Sequence, residues 1–180
     1  PKYNKSLPVI DLARLETDPK SLVDPIIKAS EEFGFFQLTN HGLEKIMNEM
    51  MMVSEEFFKL PVADKMEMFS EDPKQISKLH SSRDYKNLSA QFWRDSLTHP
   101  VNPPEDFIHL WPSKPSNYRD VAGAYSLAVR SLGLKLLELI CQGLGLRSDY
   151  FAGELTKTQL LTTNHYPPCP NPSLTLGLPK

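Results

Sequence analysis

The chain has 180 residues, 40% hydrophobic and 23% charged, with a formal net charge of -2, a balance suited to a folded core and not to a disordered segment. Near-neutral charge without a clustered basic face gives no basis for nucleic-acid binding. The longest apolar run, around Leu132 to Leu144, is broken by Lys135 and Glu138 and is too short to span a bilayer, so no membrane partner is expected either.

Leu7-Pro8-Val9-Ile10-Asp11-Leu12 reads as a short strand, with Pro8 tolerated at an edge or at its first residue. Asp24 before Pro25 has the form of an N-cap with proline at the first helical position. Ile26, Ala29, Ser30 and Phe33 then share one side until Gly34 stops the helix. The alternative start is Pro19, which would place a kink at Pro25. Residues 35–39 form a second strand, closed by the turn chemistry of Asn40-His41-Gly42. Across 43–60 the positions Leu43, Ile46, Met47, Met50, Ser54 and Phe57 recur at helical spacing, and Pro61 ends the run. All six methionines lie between Met47 and Met68 and are expected to fill core gaps between helices. A short helix through Met68 follows.

Residues 70–89 are polar and interrupted by Pro73, which reads as loop. A strand over 91–98 would place Phe92, Arg94, Ser96 and Thr98 on one face and Trp93, Asp95 and Leu97, with His99, on the other. After a proline-rich stretch, Asn117 with Asp120 approximates a capping box and opens a long helix. Val121, Tyr125, Ala128, Val129, Leu132, Leu136, Leu139 and Ile140 form its apolar stripe, and Gly143 and Gly145 end it. A stripe that wide needs an apolar partner, so this helix is expected to brace a sheet. Residues 148–151 suggest a helical turn, and 158–163 a strand that runs into Asn164-His165-Tyr166. Pro167, Pro168, Pro170 and Pro172 then forbid a regular ladder. In an extended chain Asn164 and Tyr166 share a face and His165 points away, which sets an amide beside a phenol, both suited to a carboxylate.

The segment Asn164-His165-Tyr166-Pro167-Pro168-Cys169-Pro170, with Leu174-Thr175-Leu176-Gly177-Leu178-Pro179-Lys180 after it, resembles plant 2-oxoglutarate- and iron(II)-dependent dioxygenases, especially the branch containing hyoscyamine 6-hydroxylase. Pro8-Val9-Ile10-Asp11-Leu12, Gly34-Phe35-Phe36-Gln37, Asn40-His41-Gly42 and Phe57-Phe58-Lys59-Leu60-Pro61 extend the resemblance over nearly the whole chain. It implies a mixed α/β fold: an N-terminal helical and strand region (1–115), a bracing helix and turn (116–157), and the first strands of a double-stranded β-helix, or jelly roll (158–180), all in one continuous domain.

The resemblance also implies Fe(II) and 2-oxoglutarate as cofactors, with ascorbate as reductant, and a reaction with dioxygen that oxidises a small plant metabolite or hormone. Asn164 and Tyr166 would bind the 2-oxoglutarate carboxylate, and Phe92, Arg94, Ser96 and Thr98 would face the substrate. If Arg94 lines the pocket, its planar guanidinium favours a substrate with an acceptor group. The family's iron ligands are His-x-Asp and a distant histidine. None of the five histidines here has an acid two residues on, so no metal or catalytic residue is assigned and the ligands are expected beyond Lys180.

The chain also lacks a phosphate-binding glycine loop, a Gly-x-Ser-x-Gly elbow and Cys-x-x-Cys. It starts at Pro1 and stops within the alternation Leu174, Leu176, Leu178, so a fragment is expected. Cys141 and Cys169 match no redox or metal spacing, consistent with a reducing, cytoplasmic setting. A monomer is expected. The competing readings are a truncated, non-catalytic binding or structural homologue and an ascorbate-dependent oxidase of the same superfamily.

Overall fold

The computed structural model describes residues 6–81 and 91–176, so the predicted loop is covered only through Ser81 and Leu178 lies outside the described residues. The architecture mixes helices and strands, as the sequence implied, and its contacts divide into two compact units.

The first unit comprises the described residues of Pro1–Met47 together with Leu127–Lys157. Strands β1 (Val9–Asp11) and β2 (Gln37–Thr39) run parallel, with Ile10 opposite Leu38, joined through helix α1 (Val23–Phe33). The predicted cap at Asp24 is corrected. A 3-10 turn, Pro19–Leu22, leads straight into α1, so Leu22 in helical conformation occupies the cap and Asp24 lies within the first turn. Pro25 introduces no kink because first-turn amides lack an intrahelical acceptor in any case. Gly34 ends the helix with φ 75°, donating its N–H to Ser30 O at 3.0 Å.

Asn40 (φ 54°) and Gly42 (φ 74°) make the turn after β2. Asn40 Nδ2 donates to Asp11 Oδ1 at 2.7 Å, and that bond holds the Asp11 carboxyl below its usual range. His41 Nδ1 accepts the Leu43 N–H at 3.0 Å, a turn-closing role. Ile10, Leu12, Leu22, Ile26 and Ala29 form this unit's core with Leu139, from the far end of helix α5 (Tyr118–Gly143). Leu132, Leu136 and Ile140 of the expected stripe flank that core, half-buried.

The second unit comprises Asn48–Ser126 and the described residues of Thr158–Lys180. Most of α2 (Glu44–Lys59) lies here, followed by α3 (Val62–Met66). The expectation that the methionines fill the core is corrected: Met50 is buried, but Met51 is 62% and Met52 63% exposed, because consecutive positions turn away from the stripe.

A three-stranded antiparallel sheet carries this unit, in the order β3 (Lys78–Ser81), β5 (Asp95–Asn102), β6 (Gln159–His165). β3 falls where a loop was expected, since its four residues hold one apolar side chain, Leu79. The single strand expected over 91–98 is two: β4 (Gln91–Phe92) stops before Trp93, and β5 begins at Asp95. β4 pairs in parallel with β7 (Thr175–Leu176), whereas β5 runs on through Pro100, where the register with β6 shifts. A bulge of this kind accommodates a residue that has no ladder donor.

Leu79, Leu97 and Val101 from the sheet pack against Met50, Val53, Phe57 and Phe58 of α2, against Tyr118 and Ala122 of α5, and against Trp111. The start of α5 thus braces the sheet, but through Tyr118 and Ala122, with Val121 and Tyr125 only partly buried. Between β5 and α5 lies a short helix, α4 (Pro104–Phe107).

Candidate functional site

β5 and β6 face each other in a register that sets Ser96 opposite Asn164 and Thr98 opposite Thr162. Directly opposed residues in an antiparallel pair project to the same side, so these four belong to one face. Leu97, Val101 and Leu161 belong to the other, packed into the core. Exposure alternates along β6 and beyond: Leu160, Thr162, Asn164 and Tyr166 are open, while Leu161, Thr163 and His165 are partly covered. Asn164 and Tyr166 therefore lie on one exposed side, and Tyr166 is 48% exposed. His165 projects the other way, its ring stacked 4.7 Å from that of Phe58.

Ser96 is 3% exposed, and its hydroxyl donates to Asn164 Oδ1 at 2.7 Å. Among the described residues none engages Asn164 Nδ2, which leaves its two donors for an outside acceptor. Next along the ladder, the hydroxyls of Thr98 and Thr162 are 3.1 Å apart. Ser96, expected to line a substrate cavity, lies on this face with its hydroxyl bonded to the Asn164 amide.

Phe92 ends β4 and Arg94 lies in the break before β5, and the two meet, with the guanidinium carbon 6.0 Å from the ring centroid. Arg94 Nε is buried without a hydrogen-bond partner among the described residues. The structure thus groups Ser96, Thr98 and Asn164 on one sheet face with Tyr166 just past its end, and pairs Phe92 with Arg94 beside the break.

Sequence reasoning missed three residues of this face. Thr162 was read only as part of a strand, and Lys78 and His80 sit opposite Thr98 and Ser96 on β3, inside the segment taken for loop. The alternation of Lys78 and His80 around Leu79 was the signal available. No carboxylate stands among Lys78, His80, Ser96, Thr98, Thr162 and Asn164, so an anion meeting the Asn164 and Tyr166 donors faces no like charge from these ladder positions. The donor set fits an acid. Among the described residues no three His, Cys, Asp or Glu side chains are grouped to hold a metal ion.

The opposite side of the sheet is braced by polar contacts of its own. His99 Nε2 and the Tyr118 hydroxyl are 2.9 Å apart, and Trp111 Nε1 donates to Pro100 O at 2.7 Å. Burial pushes His99 down to about 4 and raises Tyr118 well above the usual phenol range, so both stay neutral at pH 7. The sheet is thereby fixed from behind without a buried charge.

Residues 7–115 match the family described as non-haem dioxygenase in morphine synthesis, N-terminal. Over 182 residues the chain is 41% identical to hyoscyamine 6-dioxygenase of Hyoscyamus niger, covering 95% of this chain and 52% of that protein. It is 40% identical over 177 residues to protein DOWNY MILDEW RESISTANCE 6 of Arabidopsis thaliana, covering 97% of this chain and 51% of that one. The crystal structure of JOX2 in complex with 2OG, Fe and JA matches the fold with a TM-score of 0.81 at 30% identity, over 97% of this chain and 52% of that chain. The chain spans about half the length of the curated relatives it matches. With more than half of its residues inside the family match, the chain belongs to the family of non-haem dioxygenase N-terminal regions.

Proposed function

We propose that this chain is the N-terminal part of a 2-oxoglutarate- and iron(II)-dependent dioxygenase that hydroxylates or otherwise oxidises a small specialised metabolite or hormone with dioxygen. The observation that carries the reading is the exposure of Asn164 on β6 and of Tyr166 two residues on, just past the strand's end, with no acid at the facing ladder positions. Each hydrogen bond to an ionised acceptor contributes roughly 1.5–3 kcal/mol. The complex of JOX2 with 2OG and Fe supports the same cofactors here. On this reading β3, β5 and β6 open a jelly roll, and the iron ligands lie beyond Lys180.

When bound, the iron supplies dioxygen activation and the oxidative decarboxylation of 2-oxoglutarate to succinate, with ascorbate as reductant. This chain's residues orient the co-substrate carboxylate and help exclude water. Arg94, whose Nε has no hydrogen-bond partner among the described residues and whose guanidinium lies beside Phe92, is assigned to an acceptor group of the substrate, and Thr98 to the same side. The two free cysteines fit a cytoplasmic protein, and the chain is assigned as a monomer without nucleic-acid or membrane partners.

The test uses the full-length protein. Asn164→Ala and Tyr166→Phe should each weaken 2-oxoglutarate binding about 10- to 100-fold, which corresponds to one charge-assisted hydrogen bond. Arg94→Leu should weaken substrate binding with 2-oxoglutarate affinity unchanged. Succinate should form in step with substrate consumption. Substrate oxidised with ascorbate but without succinate would indicate the oxidase, and absence of 2-oxoglutarate binding by the folded protein would indicate the non-catalytic homologue.

A further inference from the structure

An amide at a carboxylate site has two ends of nearly the same shape and opposite polarity, and only the nitrogen end attracts an anion. An Asn164 side chain free to turn over would offer Oδ1 to the acid in one of its two orientations. Three observations bear on how this is avoided. Ser96 is directly opposite Asn164 in the β5–β6 register, so the ladder fixes the distance between them. Ser96 is 3% exposed, so water scarcely competes for its hydroxyl. Its hydroxyl donates to Asn164 Oδ1 at 2.7 Å, an ordinary O–H···O length.

We propose that Ser96 is a positioning residue which holds the Asn164 amide with Oδ1 toward the sheet and Nδ2 outward, so that β6 presents a donor to its acidic ligand. This inference rests on the 2-oxoglutarate reading above and adds to it the residue that sets the polarity of the site. Ser96 touches no ligand itself and acts through Asn164. The Thr98–Thr162 pair one step along carries no such polarity, since either hydroxyl can donate.

The experiment is calorimetric titration of 2-oxoglutarate into the full-length protein with Fe(II) under anaerobic conditions, where turnover cannot contribute. Ser96→Ala is expected to weaken binding about tenfold with an unchanged circular dichroism spectrum, and Ser96→Thr, which keeps a hydroxyl, to restore most of the affinity. In an Asn164→Ala background, Ser96→Ala should add less than about twofold, because there is no amide left to orient. Asn164→Asp, which still accepts from Ser96 but offers an anion, should bind more weakly than Asn164→Ala.

Unchanged affinity in folded Ser96→Ala, with Asn164→Ala impaired, would overturn the positioning role and leave the 2-oxoglutarate reading standing. A full tenfold loss persisting in the Asn164→Ala background would overturn it as well. Failure of the unmodified protein to bind 2-oxoglutarate would overturn both.

Discussion

The His165 ring lies 4.7 Å from the Phe58 ring with 15° between their planes, on the covered side of β6 and away from Asn164 and Tyr166. A ring in this position contributes through packing, so any flat aromatic of similar size should serve. His165→Tyr is expected to change stability by less than about 1 kcal/mol, whereas His165→Ala forfeits the ring pair, about 0.5–1.5 kcal/mol beyond the lost area. Urea unfolding measures both. In the full-length protein His165→Tyr should leave 2-oxoglutarate affinity unchanged; a loss of binding with the fold intact would move His165 into the site. The facing of these residues was legible from sequence because strand alternation has a period of two and four prolines mark where the ladder stops. What was not legible is the engagement of Ser96. Its partner is 68 residues away; alternation gave only the face of Ser96, and the resemblance implied that this face borders the substrate.

Helices α1 and α5 approach each other closely at Gly143. A Cβ built there would stand 2.2 Å from Ile27 Cγ1, 2.6 Å from Ile27 Cδ1 and 3.1 Å from Val23 Cγ1. Two of these distances are shorter than any real carbon contact, and the β-branched Ile27 has few rotamers by which to withdraw. Gly143→Ala should therefore destabilise by about 1–3 kcal/mol, as overpacking does, despite alanine's better helix propensity. Adding Ile27→Ala should recover part of the loss; strict additivity of the two changes in thermal unfolding would rule the contact out. The glycine was visible in the sequence only as a helix stop. Long elements were otherwise well signalled: α2 and α5 show periodic apolar positions sustained over many turns. Short ones were not. β3 has four residues and one apolar side chain, and the break at Trp93 and Arg94 interrupts an alternation that on its own would continue. In α5 Tyr118, Ala122 and Cys141 are fully buried and lie outside the expected stripe, and α5 contributes to the core of each unit through different residues.

At the scale of the whole molecule, pairings such as β5 with β6 depend on contacts between distant residues, and no local pattern encodes them; the resemblance implied the first strands of a jelly roll over 158–180 but neither the pairing of β6 with β5 nor β3. Global stability is also a property at this scale, and one buried group gives it a pH dependence. His99 is fully buried against Tyr118 and Trp111, and burial lowers its pKa from the ordinary 6.5 to about 4. Between those values the unfolded chain binds a proton that the native chain does not, so stability rises with pH across this window. The contribution is complete above about pH 6.5 and is lost progressively as pH falls toward 4. The gap corresponds to about 3 kcal/mol. The Asp11 carboxyl, held below its ordinary 3.8 by Asn40, loses its contribution only at still lower pH and does not mask the effect. Urea midpoints taken at half-unit steps from pH 7.5 to 4.5 should fall below pH 6.5. In His99→Gln, which keeps a side-chain hydrogen-bonding group but no titrating nitrogen, that fall should flatten. A slope that persists in His99→Gln would show that some other group binds the proton on unfolding, and His99 would then be charged or solvated in the native state.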